Sequence, residues 1–509
     1  MQSPQQNPSK NPATKITLEH ADTLSFRKAV NPDVNVAHGN VVFKHENAYL
    51  YCDSAYLYNQ SNMLEAFDNV RMEQGDSIHI YGDYLIYEGD RNLAKMRYNV
   101  RMENGDATLF TDSLNYDRNT NIGYYFAGGM IVDSINELSS VYGQYSPDTK
   151  IAHFKKNVKL TNPQFVLTSD TLKYSTDTKI ATILGPSVIV SDSGTIYSSL
   201  GWYNTVTDQS MLYKRSKVFN KEKTQSITAD SLFYNRKTGF CEAFGDMLLN
   251  DTVQKVILTG NYGYFDQNTN FAFATDSAQM IDYSQADTLY LHADTLQMQT
   301  IGKEREMKAF YGVRIFRNDM QGVCDSLQFN TKDSTLRLYK EPILWNTTYQ
   351  MTGDTIVMFF NDSTLDRAHI INYAFSIEKV DTTYYNQLKG KNMKIYFTDG
   401  EIRFIDVSGN AETIFYPVDE GAFIGMNQTE SSYFTIQVKD RKPERMVFWP
   451  SPKGSTIPLP DLTPETKFLK GFIDFDYLRP TDRFDIFVKK KRKAEDVTPP
   501  RIMRHQQEE

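Results

Sequence analysis

The residues best suited to chemistry form a ladder: Asp22, Asp53, Asp83, Asp112, Asp170, Ser199, Asp230, Asn261, Asp294, Asp325 and Asp354, with Val141 filling one rung, at steps of 29 to 33 residues. Stacked carboxylates could bind Ca2+ through their oxygens, or supply the acid and base of a glycan-cleaving site. They could also be turn formers, because a short polar side chain captures backbone amides where a strand bends. From Asp112 to Asp294 the ladder alternates Asp with Val, Ser and Asn. Alternation separates like charges by about 9 to 10 Å, close to the Debye length, so repulsion is relieved without a metal. That favours the turn-forming reading. The eight His are scattered, with no HExxH pattern or helical pair, and there is no Walker loop, GxGxxG or GxSxG. The expectation is a protein that is not an enzyme and takes no cofactor or metal.

The elements that must position this ladder repeat with it. Four residues after each polar position stands an aromatic or bulky apolar residue: Phe26, Leu57, Tyr87, Tyr116, Tyr145, Tyr174, Tyr203, Tyr234, Phe265, Met298, Phe329 and Met358. A second series keeps the period, including Val41, Val70, Val100, Val158, Val188, Val218 and Val313, mostly after Gly, Asn, Asp, Ser or Pro. Self-similarity at about 30 residues marks a repeat architecture. Apolar and polar residues alternate as in half-buried strands, and 32 Tyr favour strand over helix. The alternation slips at each Asp: apolar residues fall three before it, then two and four after it, which predicts a bend. One copy offers four or five core side chains at about 1.5 to 3 kcal/mol each, against about 1 to 2 kcal/mol of backbone entropy per residue. No copy can fold alone, so the copies must stack into one continuous interior.

Composition bounds the rest. The net charge of -8 argues against a nucleic-acid partner. Cys52, Cys241 and Cys324 are too few and too far apart for a disulfide framework, and read as core residues. No apolar run is long enough to cross a bilayer as a helix. Residues 1–15 are expected to be disordered, 16–394 to form the repeat array and 395–450 an irregular continuation of it. A Pro-rich segment, 451–488, is expected to cap or dock, with a short helix capped by Thr463 and Pro464 at its first position. Residues 489–509 form a charged tail, expected to be disordered.

The units Ala229-Asp230-Ser231-Leu232-Phe233-Tyr234, Gly39-Asn40-Val41, Asp68-Asn69-Val70 and Gly409-Asn410-Ala411 resemble the signature of the OstA-like (LptA-type) lipopolysaccharide transport family, and the length resembles the long OstA-like proteins of Bacteroidetes. The resemblance implies an elongated, antiparallel, V-shaped β-jelly-roll open along one side, in the periplasm, its signal peptide already removed. It implies a carrier that shields the acyl chains of lipopolysaccharide or lipooligosaccharide on the way to the outer membrane. Its partners would be lipid A acyl chains and, through strand addition, jelly-roll proteins of the inner- and outer-membrane machinery, with head-to-tail self-association as a further option. By register, Leu85, Leu114, Leu172, Leu232, Tyr116, Tyr174 and Tyr234 are expected to line or underlie the lipid trough. Two alternatives share the repeats. A surface or adhesive β-solenoid would have a filled interior, and a β-helical polysaccharide-cleaving enzyme would bring several carboxylates into one cleft.

Overall fold

The computed structural model describes residues 14–26, 33–361, 364–440 and 442–493, and the chain divides into two compact units between Gly239 and Phe240. Regular structure among the described residues is almost entirely antiparallel strand, with a few 3-10 turns and no α-helix. Residues 1–13 and 494–509, which hold most of the expected N-terminal and charged tails, lie outside the described residues.

In the first unit the strands Val34–His45, Ala48–Tyr58, Met63–Gln74, Ile78–Glu88, Leu93–Asn104 and Ala107–Asp117 form a meander, each antiparallel to the next. Every second strand carries a two-residue bulge with left-handed backbone: Gly39–Asn40, Asp68–Asn69, Tyr98–Asn99, and later Lys156–Asn157 and Lys214–Arg215. Gly, Asn and Asp are favoured there because they tolerate positive φ best. At the first three bulges a ladder carboxylate accepts from the side-chain amide of the bulge Asn, not from a backbone amide as expected: Asn40 to Asp22 at 3.0 Å, Asn69 to Asp53 at 2.7 Å, Asn99 to Asp83 at 2.6 Å. Elsewhere the bend is a full break. Ile122–Tyr125 and Gly129–Val132 pair with the two halves of Ala107–Asp117.

A bulge bends its strand, so a line of bulges folds the sheet into two layers that face each other. Leu50 and Ile80, three before their Asp, sit in layer one; Ala55, Leu57, Leu85 and Tyr87, two and four after it, sit in layer two. All are buried, so the slip in alternation keeps the apolar side chains inward on both sides of the bend. The Phe165 and Tyr203 rings, one from each layer, lie 4.7 Å apart. Cys52, Cys241 and Cys324 are buried free thiols in their respective units.

The second unit is bent in the same way, with bulges at Gly245–Asp246, Tyr311–Gly312 and Asn372–Tyr373. Its C-terminal segment begins with one strand, Lys453–Ile457, paired to Met426–Lys439, and from Pro458 runs on as a strap without regular strand. Two buried glutamines hold its backbone as a ladder partner would, and a third takes one of its side chains. Gln387 donates to Lys467 O and accepts from Leu469 N, both at 2.8 Å. Gln350 donates to Ile473 O at 2.9 Å and accepts from Phe475 N at 2.8 Å. Gln321 accepts from Arg479 Nε at 2.7 Å, and Arg314 donates to Ile486 O at 3.1 Å. Between these clips Leu469 packs against Phe375, Ile414 and Met426, and Phe475 and Leu478 pack against Ile343 and Trp345. The helix expected at Thr463 is instead a single turn: Thr466 and Lys467 amides both return to Thr463 O, and the chain then extends into the strap. The Gln387 contacts hold Lys467 and Leu469 in a geometry that a continued helix would not permit. Within the described part of the charged tail, Lys490 donates to Asp485 at 2.7 Å and Arg492 to Glu341 at 2.7 Å.

Candidate functional site

Opposite the line of bulges, the turns at the free ends of the two layers come together, and in the first unit they are clasped. Arg118, in a layer-two turn, donates to Gln74 at 2.9 Å and Asn47 at 2.7 Å in layer-one turns. The Tyr145 phenol donates to Asn104 at 3.0 Å. Lys179 reaches Asp106 at 3.1 Å and Asp133 at 3.0 Å, and Tyr174 donates to Asp133 as well. Asn136 donates to Thr205 at 3.0 Å. Arg236 spans to Asp192 at 3.1 Å and to Gln164. Tyr145 and Tyr174 thus bury their rings and spend their hydroxyls across the mouth, whereas Tyr116 and Tyr203 donate within their own layer, to Asn121 and Asp208.

The electrostatics follow from this burial. Desolvation pushes the Tyr174 and Tyr203 phenols up, and the hydrogen bonds to Asp133 and Asp208 push them further. Burial also acts to raise the Asp133 carboxyl. The bonds from Tyr174, the Ile135 and Asn136 amides and Lys179 outweigh it, holding the group below the ordinary carboxylate value. Burial acts to lower Lys179, and its bonds to Asp133 and Asp106 outweigh it, so its ammonium is held above the ordinary value.

The seven residues singled out by register all lie in layer two of the first unit. Leu85, Leu114, Leu172 and Leu232 are fully buried, and Tyr116, Tyr174 and Tyr234 are at most 2% exposed. They form the floor beneath the clasp. The ladder carboxylates of this unit, from Asp22 to Asp230, stand exposed at the bends on the other side. Among the described residues, no group of three His, Cys, Asp or Glu is placed to hold a metal ion.

In the second unit the ladder residues lack hydroxyls: they are Phe265, Met298, Phe329 and Met358. At the Met298 and Phe329 rungs a cavity of about 390 Å³ lies between the layers. Met280, Leu291 and Met320 line it from layer one, and Met298, Met307 and Phe329 from layer two. This volume falls within the range of about 300 to 1,000 Å³ typical of ligand sites. Methionine, flexible and polarisable, lets such a lining adapt to what enters. Asp282, Asp287, Arg305 and Arg317 are its charged lining residues. Arg317 is held by Asp319 through two bonds of 2.6 and 3.1 Å, and Asp287 accepts from Asn318 at 3.2 Å. Arg305 Nη2 donates to Asp282 across the layers at 3.0 Å, with the guanidinium 5.7 Å from the centre of the Phe329 ring. None of the seven register-selected residues lines this cavity. The signal that could have found it is in the sequence: the ladder changes from Tyr to Phe and Met after Tyr234.

A family model described as OstA-like protein matches residues 13–170. Among solved structures, the chain is similar to the crystal structure of LptH, the LptA homologous periplasmic component of the conserved lipopolysaccharide transport device from Pseudomonas aeruginosa. That likeness has 13% identity and a TM-score of 0.18, and covers 19% of this chain and 76% of that one. No curated protein matches the chain.

Proposed function

We propose that this protein is a non-enzymatic lipid carrier of the OstA-like kind, which works in the periplasm and shields acyl chains of lipopolysaccharide or lipooligosaccharide in transit to the outer membrane. The observation that carries the reading is the apolar cavity between the two layers of the second unit. Each CH2 withdrawn from water is worth about 0.8 kcal/mol, so hydrocarbon tails need such a lining to cross an aqueous space. The family match over residues 13–170 supports the reading for the first part of the chain. On this proposal the jelly-roll continues to about residue 450, with 451–488 as its cap. The floor formed by Leu85, Leu114, Leu172, Leu232, Tyr116, Tyr174 and Tyr234 meets lipid when the clasp above it opens. Terminal strand edges would join neighbouring jelly-rolls, or a second copy, by strand addition.

The test is photo-crosslinking with the full chain and lipopolysaccharide. A benzophenone side chain at Met298 is expected to capture lipid, and one at the exposed Tyr98 is not. Capture at Tyr98 with none at Met298 would refute the carrier reading.

A further inference from the structure

Arg305 is nine-tenths buried against the cavity, and its Nη1 has neither a hydrogen-bond partner nor solvent, while Nη2 is held by Asp282. A buried charged donor left unpaired is costly, and an apolar cavity gives it no relief. The neighbouring cation, Arg317, is already engaged by Asp319 on two of its nitrogens.

We propose that Arg305 Nη1 anchors the oxyanion of a single-chain amphiphile: a carboxylate or phosphate monoester whose one hydrocarbon chain lies against Met298, Met307 and Phe329. This rests on the lipid-carrier reading and narrows it to a fixed station for one chain. A guanidinium presents its donors as a planar fork, so an anion can bind through Nη1 while Asp282 keeps Nη2, once the flexible methionine lining shifts to uncover Nη1. The nearby Phe329 ring favours a retained positive charge. Volume sets the limit of one chain: an apolar cavity of about 150 Å³ accommodates one benzene, and 390 Å³ is less than three times that.

The experiment uses the full chain, with displacement of a dansyl-labelled fatty acid by laurate, lauryl phosphate and lauryl alcohol, all below their micelle concentrations. At least one of the two anions is expected to displace the probe about tenfold more tightly than the alcohol, as a charge-assisted bond implies. Arg305→Gln should remove that preference and leave the alcohol's affinity unchanged. Should Arg305→Gln fail to fold with Asp282 unpaired, Arg305→Gln with Asp282→Asn removes both charges and is read in the same way. Preference for laurate assigns the site to a free fatty acid; preference for lauryl phosphate assigns it to a phosphorylated headgroup. Met298→Trp should abolish displacement in every arm. Equal displacement by the alcohol, or a preference that survives loss of Arg305, overturns the anchor while leaving lipid carriage intact. A probe that binds nowhere overturns both.

Discussion

Tyr174 and Asp133 meet across the two layers of the first unit, the phenol donating to the carboxylate at 2.5 Å, with Lys179 on the same oxygen at 3.0 Å. The Asp133 side chain is fully buried. One rung thereby combines an aromatic core residue with a latch, and the same ladder position in the second unit, Met298, has nothing to latch with.

Asp133→Ala should therefore cost about 1 to 3 kcal/mol for each buried donor it strands, the Tyr174 phenol and the Asn136 amide, while Lys179 keeps Asp106. Tyr174→Phe should cost about 1 to 2 kcal/mol. The double variant should be less destabilised than the sum, by about 0.5 kcal/mol or more, since the two share one bond. Hydrogen exchange along Gly129–Val132 and Phe165–Ser175 gives the readout; strict additivity would count against a shared latch.

The clasp also fixes a pH window. Asp133 is depressed in the folded state, so its stabilisation is complete above the unfolded value of 3.8 and is lost as pH falls through the lower folded value. Lys179 is raised, so its stabilisation is complete below 10.5 and is lost as pH rises through the higher folded value. Urea unfolding should show acid destabilisation of the first unit that Asp133→Asn flattens. Parallel acid limbs for the two proteins would exclude Asp133 as their source.

Met298→Tyr should give the second unit a rung like those of the first. The phenol would fill part of the cavity near Arg305 and weaken binding of a dansyl-labelled fatty acid by on the order of tenfold, about 1.4 kcal/mol. Unchanged probe affinity would show that the Tyr-to-Met change is not what opens the mouth.

At the bends, Asn99 holds φ at 51° and donates to Asp83. Asn99→Val, a β-branched residue forced into left-handed backbone, should cost about 1 to 3 kcal/mol, whereas Asn99→Gly should be tolerated. Thermal unfolding that ranks the two variants the other way would remove the conformational explanation of the Asp-Asn pairs.

The strap depends on Gln350, which both donates to and accepts from its backbone. Gln350→Leu strands the Ile473 carbonyl and Phe475 amide, at about 1 to 3 kcal/mol each. Limited proteolysis should then cleave within 470–480 at protease levels that leave the wild type intact. Equal protection would mean that Phe475 and Leu478 hold the strap without the amide clips.

The chain by itself determined the strands, their bends and their inward faces. Leu50, Asp53, Ala55 and Leu57 carry the whole pattern in eight residues, because alternation and a turn-forming Asp are local properties. That the polar ladder marks the bends was legible for the same reason; that its carboxylates take an Asn side-chain amide from the next strand was not. What could not be read was the far side of the fold. Whether Tyr174 lines a trough or seals it depends on Asp133, Asn136 and Lys179, which stand 41, 38 and 5 residues away and meet it only once the two layers face each other. The cavity between Met280 and Met298, and the unpaired Nη1 of Arg305 in its wall, were decided at the same tertiary stage. A repeat fixes each rung's contribution to the core; the distance between opposing rungs is set by which side chains reach across, and that is a property of pairs, not of positions.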